Sequence, residues 1–379
     1  MSRRANGEGS ITLRSDGRWM ARLSYLDPIT GQRQRVTLYA GTARDVRAKL
    51  KDARDRLDAQ APPTDATRTV ADWLSHWRAT TLAASDRKAS TRELYATLSR
   101  KHLEQGTLGA LTLARLRPSD VTGLVLALKA KGLSDSTVRS VYAVLRSALD
   151  GAVTDGLLSR NPAALVARPT VERTEAKHLD AGEVAALLRA CDGSRYHAVL
   201  TLIAATGLRK GEALALRWDQ VDLDAGTLAV VATLGRISGE LVSTPPKTAR
   251  SRRIVPLHPG IVALLKRHRA AQNAERLLAG NQWTDSGLVF STELGSPVDP
   301  RNLLRVVQSA AKRLGANDVG VHTLRHSAAV VWLEAGVHIK AVADLLGHSS
   351  ISITGDVYGH TSDGAARSAV ESLGERLGL

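Results

Sequence analysis

The sequence predicts a multidomain, mainly α chain with small β-sheets. Three observations carry that expectation. At 379 residues the chain exceeds one ordinary core, since domains run to roughly 100–200 residues. Two stretches, 61–67 with Pro62-Pro63 and 168–177 opening on Arg168-Pro169, read as linkers. The hydrophobic pattern also changes across them: period two before the first, helical period between them, and a mixture after the second. Domains at 1–60, 68–165 and 175–379 follow.

The first domain reads as a three-stranded sheet plus a helix. Ser10-Ile11-Thr12-Leu13 is β-prone and Ser15-Asp16-Gly17 is a turn. Trp19, Ala21, Leu23 and Tyr25 alternate with Met20, Arg22 and Ser24. After a turn at Asp27-Pro28-Ile29-Thr30-Gly31, Arg33, Arg35 and Thr37 alternate with Gln34, Val36 and Leu38. Thr42 caps a helix running to about Ala59. A sheet with one arginine-bearing face either lies in a DNA groove or is simply solvated, and pattern alone does not separate the two.

The second domain reads as a bundle of four or five helices. Val70, Trp73, Leu74 and Trp77 share one apolar face. Ser90 or Thr91 starts a helix through Leu94, Tyr95 and Leu98. Pro118 opens one with Val121, Leu124, Val125 and Leu128, and Ser136 opens another with Val138, Val141, Tyr142, Leu145 and Leu149. Asn161-Pro162 ends the run.

The third domain reads as α+β. Asp180 and Glu183 form a capping box. An apolar helix at 194–205 stops at Gly207, and another runs over 211–218. A strand covers 227–234. Lys247 sits at a hairpin tip before a returning strand at 253–257. Asp299-Pro300 opens a helix ending at Gly315. Helices at 322–335 and 339–346 stop at Gly336 and Gly347.

Charge narrows the function. The formal net charge is +15, from 52 Lys+Arg against 37 Asp+Glu, which biases association toward polyanions. The excess is uneven: +6 in residues 1–60, +6 in 61–170 and +3 in 171–379. A part that grips DNA and a part that acts on it divide in this way. Cys191 is the one cysteine, so no internal disulfide forms. Apolar runs such as 199–205 fall far short of the ~20 residues of a membrane span. Met1-Ser2-Arg3-Arg4-Ala5-Asn6-Gly7 has no apolar stretch behind its charges. The expectation is a soluble, cytoplasmic protein.

Four islands in the third domain concentrate basic and nucleophilic groups: Thr206-Gly207-Leu208-Arg209-Lys210-Gly211-Glu212, then Lys247, then His322-Thr323-Leu324-Arg325-His326, then Leu346-Gly347-His348-Ser349 with Tyr358 ten residues after the histidine. One reaction type fits them together. A phosphodiester gains charge toward −2 in its pentavalent transition state, and Arg209 and Arg325 can clamp its nonbridging oxygens. The Tyr358 hydroxyl can attack phosphorus. Lys247 can protonate a departing 5′ oxygen, and His322 or His348 can take the tyrosine proton. No metal or other cofactor is called for. His322 and His326 at i,i+4 resemble a zinc pair, but the Glu of the zinc-protease helix is missing between them.

These islands resemble the tyrosine recombinases, or phage-type integrases. Thr206-Gly207-Leu208-Arg209 with Glu212 is similar to that family's first-arginine box, Lys247 to its β-hairpin lysine, His322-Thr323-Leu324-Arg325-His326 to its His-x-x-Arg box, and Leu346-Gly347-His348-Ser349 with Tyr358-Gly359-His360 to its last histidine and nucleophile. The sequence departs at Thr354-Gly355, where an apolar helix former is common, and this predicts a looser tyrosine-bearing segment. The resemblance implies an arm-type DNA-binding domain at 1–60, a helical core-binding domain at 68–165 and a catalytic domain at 175–379. It implies a site-specific DNA recombinase that integrates or excises a mobile element such as a prophage. Its catalytic residues are then Arg209, Lys247, His322, Arg325, His348 and Tyr358, with Glu212 orienting Arg209. The implied partners are core and arm DNA sites, three further copies of the chain, and accessory DNA-bending proteins. Two other readings stay open: a type IB topoisomerase, against which the arm-like first domain argues, and a binding-only descendant, which is free to lose at least one of the six groups.

Overall fold

The structure is a computed structural model that describes residues 9–26, 33–58, 68–172, 177–245, 252–348, 350 and 355. The chain divides into two compact units, Met1–Arg173 and Thr174–Leu379.

The first unit opens with an antiparallel sheet of β1 (Ser10–Leu13), β2 (Trp19–Leu26) and β3 (Arg33–Ala40), followed by α1 (Ala43–Asp58). Thr42 caps α1 by accepting the Asp45 N–H at 3.1 Å. The register Ala21↔Leu38, Leu23↔Val36 puts the apolar residues of both strands on one face. There Ala21, Leu23 and Val36 pack against Val46, Leu50 and Ala53. Arg22, Arg33 and Arg35 alternate onto the other face and are exposed. The turn at 27–31 and the linker at 61–67 fall outside the described residues.

Helices α2 (Val70–Trp77), α3 (Ala89–Leu98), α4 (Thr107–Ala110), α5 (Pro118–Ala130) and α6 (Asp135–Thr154) form the bundle, with single π-helical turns continuing α2 and α3. Thr69 and Asp72 form a capping box for α2, and the Ser134 hydroxyl caps α6, two residues before the expected start. The core holds Trp73, Trp77, Tyr142, Leu145 and Leu149, all nearly inaccessible. Trp73 Nε1 donates to Ala148 O at 2.8 Å, and Tyr142 Oη donates to Ala163 O at 2.8 Å. Gly151 leaves room for the two indoles: a Cβ there lies 3.2 Å from Trp77 Cδ1.

In the second unit, α7 (Ala181–Ala190) starts with the expected Asp180–Glu183 box. The apolar α8 (His197–Thr206) follows, then α9 (Lys210–Ala215). Two small sheets come next. One orders β4 (Val221–Asp222), β5 (Thr227–Val230) and β8 (Arg253–Pro256); the other is the hairpin of β6 (Thr233–Ile237) and β7 (Glu240–Thr244). Helices α10 (Pro259–Ala279), α11 (Pro300–Arg313), α12 (Val321–Glu334) and α13 (Ile339–Leu346) complete the described fold; the main apolar core extends from α7 to the start of α12, and Ala329 of α12 with Val342 and Leu346 of α13 form a second, smaller cluster.

Four expectations are corrected. The 211–218 helix stops at Ala215, because Leu216 turns extended and its carbonyl accepts the Val289 N–H at 2.8 Å. The single strand at 227–234 is two, β5 and β6, in different sheets. Its apolar run from Leu228 to Ala232 crosses the switch with no turn residue to mark it. The strands flanking Lys247, β7 and β8, also belong to different sheets, and the tight hairpin turn lies instead at Ser238-Gly239. Finally, α10 is a long helix that the sequence reading passed over, although Pro259 at its first turn and Ile261 and Leu265 at i,i+4 mark it. Among the described residues no helix is long and apolar enough to cross a membrane.

Candidate active site

The site grows from two helix stops. Helix α8 ends on Gly207, whose φ of 63° is left-handed and whose missing Cβ makes room for Leu346, 2.8 Å from the position a Cβ takes. Helix α13 ends on Gly347 with φ 66°, and His348 N closes the turn on Ala343 O at 2.9 Å. These stops bring the chain after α8 against the chain after α13.

Arg209 is the N-cap of α9, in extended conformation. Glu212, one turn in, accepts its backbone N–H at 3.0 Å and its Nη1 at 2.8 Å. Arg209 Nη1 also reaches Leu346 O and Nη2 reaches Gly347 O, both at 3.4 Å. Arg325, on α12, is 2% exposed. Its Nη1 donates to Gly207 O at 2.6 Å and its Nη2 to Leu346 O at 2.9 Å. A third guanidinium, Arg253 on β8, donates to Glu212 Oε2 at 2.9 Å and, through Nε, to Leu345 O at 2.6 Å. Three arginines therefore converge on the carbonyl end of α13, the negative pole of that helix.

Among the residues read from sequence, Arg209, His322, Arg325 and His348 come together. Lys247 and Tyr358 lie outside the described residues. His322, beside Arg209 and Lys210, borders an open cleft of about 430 Å³ that Thr233, Arg236 and Arg301 also line. Its ring stands edge-on to His326, with centroids 4.9 Å apart. Arg253 was not among the expected site residues. Its signal was the alternation Arg253, Val255, Leu257, which places an arginine on the buried side of a strand while Ile254 is 71% exposed.

The electrostatics favour a bound anion. Burial works to raise the Glu212 pKa, but the hydrogen bond and charge of Arg253, then the Arg209 N–H and charge, outweigh it and keep the carboxylate ionised. Crowding by protein, then the charges of Arg325, Arg209 and Lys210, hold His322 below the ordinary imidazole value, although its edge remains exposed. His348 is pushed down to about 4 by burial and by Arg325, Arg209 and Arg253. It is neutral at pH 7 and can accept a proton. Burial, His322 and Arg325 likewise push His326 down to about 4. Positive charge thus exceeds negative here, as transition-state stabilisation of a phosphodiester requires.

The phage integrase family profile matches residues 177–364. Over 373 residues the chain is 33% identical to an integrase of Streptomyces ambofaciens, a match covering 94% of this chain and 93% of that protein. The fold is similar to that of the Tn1549 transposon integrase in complex with a circular intermediate DNA, with TM-score 0.65 and 21% identity, over 81% of this chain and 100% of that one. It is also similar to a lambda integrase tetramer bound to a Holliday junction, with TM-score 0.58 and 18% identity, over 95% and 99% of the two chains. The two arginine boxes, the histidines placed beside them and this full-length relationship agree: the chain belongs to the phage integrase family of tyrosine recombinases, enzymes that cut and rejoin DNA.

Proposed function

We propose that this chain is the site-specific integrase of a mobile element and works through a 3′-phosphotyrosine on Tyr358. The observation that carries the reading is the convergence of Arg209 and Arg325 on Leu346 O, at 3.4 and 2.9 Å. Two guanidiniums aimed at one backbone oxygen are arranged as they need to be for one phosphate. The Arg209 bonds to Leu346 and Gly347 are long, so a phosphate oxygen displaces them at little cost.

In the proposed reaction the Tyr358 oxygen attacks phosphorus and its proton passes to a neutral histidine, His348 or His322. The bond from phosphorus to the 5′ oxygen breaks, and Lys247 gives that oxygen a proton. Arg209 and Arg325 hold the nonbridging oxygens as their charge grows. The 5′ hydroxyl of a partner strand then attacks the phosphotyrosine. Each step exchanges one phosphoester for another, so no nucleotide cofactor is consumed. Strand exchange in pairs calls for four copies around two duplexes. The fold shared with the lambda integrase tetramer supports that assembly. Residues 1–60, with Arg22, Arg33 and Arg35 on one exposed sheet face, serve as the arm-site reader, 68–165 as the core-site reader and 175–379 as the catalytic domain. Accessory DNA-bending proteins bring arm and core sites together.

The test is a nicked duplex carrying the element's attachment core, incubated with the full chain and resolved on a denaturing gel. A covalent protein–DNA adduct is expected from the native sequence. Tyr358→Phe is expected to bind the duplex normally and form none. An adduct that persists in Tyr358→Phe removes that residue from the mechanism.

A further inference from the structure

Arg253 lies outside the boxes from which the chemistry was read, yet the geometry ties it to them. Its side chain is 7% exposed and that of Glu212 3%. Two of its nitrogens face the Glu212 carboxylate, Nη2 at 2.9 Å and Nη1 at 3.4 Å, while Nε donates to Leu345 O at 2.6 Å. Gly347 packs against it so closely that a Cβ there lies 2.7 Å from Nη1. One planar guanidinium thus spans two elements. Glu212 belongs to α9 and orients Arg209. Leu345 belongs to the end of α13, whose next carbonyls receive Arg209 and Arg325 and whose next residues carry His348.

We propose that Arg253 is a positioning residue for strand cleavage, locking Glu212 and the carbonyl end of α13 together so that Arg209 and His348 stand in phosphate-ready geometry. A purely structural ion pair explains less. A desolvated pair contributes little net stability, and a lysine ammonium supplies the same charge without the flat fork that reaches three acceptors on two elements. Arg253 also does more than Arg209 to keep the Glu212 carboxylate ionised. The proposal rests on the phosphotyrosine reading above.

The experiment measures single-turnover adduct formation on the nicked core duplex with the full chain, together with the Kd for that duplex and the thermal unfolding midpoint. Arg253→Lys keeps the charge and the fold. It is expected to cleave roughly 10²-fold more slowly, as for a small misplacement of reacting groups, with Kd unchanged. Arg253→Ala is expected to regain rate when guanidinium ion is added, and not when potassium is added at the same ionic strength. Wild-type cleavage by Arg253→Lys overturns the proposal. So does a loss matched by an equal loss of folded protein or of DNA affinity. If Arg253→Ala does not fold, Arg253→Lys decides alone. The underlying reading fails separately: the native chain then forms no adduct, or Tyr358→Phe still forms one.

Discussion

In the bundle of the first unit, Trp73 and Tyr142 are large, buried and neutral, and each gives its hydrogen to a backbone carbonyl at 2.8 Å. In the second unit the buried polar groups around α9, α12 and α13 include three ions, Glu212, Arg253 and Arg325, beside the neutral Thr323 and Ser327. The first arrangement fills space with apolar surface and satisfies a few donors, which favours stability. The second removes ions from water, which costs stability and is recovered only in part by pairing. What it gains, on the proposed mechanism, is a set of cations already fixed where charge develops during reaction. Burial serves packing in one region and preorganisation in the other.

The contrast is sharpest for Arg325 and Arg209. Arg325→Ala and Arg209→Ala are each expected to slow cleavage by roughly 10²–10³-fold, as for loss of one transition-state donor. DNA affinity should change little, because many other phosphate contacts remain. The two should differ in stability. Arg325 leaves the buried carbonyls of Gly207 and Leu346 without its donors, whereas the Arg209 side chain is 37% exposed. Single-turnover gels and urea titrations on the same preparations check both halves. Equal losses of binding and cleavage make these arginines ordinary DNA contacts.

A bundle substitution should do the reverse. Leu145→Ala removes a side chain with no solvent exposure, so about 2–5 kcal/mol of stability is expected to go. The folded fraction should still cleave at the native rate. Urea unfolding followed by the same cleavage assay tests this, and a rate loss beyond the unfolded fraction breaks the division of labour.

A further prediction concerns pH. His326 and His348 are pushed down to about 4 in the folded unit, against an ordinary value of 6.5. The unfolded chain therefore takes up protons between pH 6.5 and 4 that the folded chain refuses. Stability from these two sites is complete above about pH 6.5 and declines as pH falls toward 4. Urea midpoints at pH 7 and pH 5 should show the decline, and His326→Gln should flatten it. In the bundle His102 shifts in the same direction through burial, Lys101 and Lys131, so the contrast here is one of degree.

Local signals made much of this architecture legible. Gly207 and Gly347 end α8 and α13 where expected, because a left-handed stop is written in one residue. The alternation in 19–39 assigned both faces of the first sheet, because period two is a property of neighbours. What stayed hidden depends on distant partners. The run 227–234 looks like one strand because its switch between sheets is set by β8 and β7, not by its own residues. Arg209, His322, Arg325 and His348 are legible as candidates because each sits in a short box. Arg253 sits alone on a strand, and its contacts appear only when Glu212, 41 positions earlier, and Leu345, 92 positions later, are folded against it. Lys247 lies outside the described residues, but the strands on either side of it, β7 and β8, pair with β6 and β5 and not with each other, which their own residues do not announce.

The carbonyl end of α13 also bears on when the enzyme becomes dangerous to DNA. Arg209 meets Leu346 across 137 positions and Arg253 meets Leu345 across 92. Contacts of such sequence separation carry the entropic cost of closing the intervening chain. An incompletely synthesised or partly folded molecule holds each arginine but cannot aim them together. The shared aim of Arg209, Arg253 and Arg325 thus depends on α13, which follows all three in sequence: without it the chain holds the cations but not their common target.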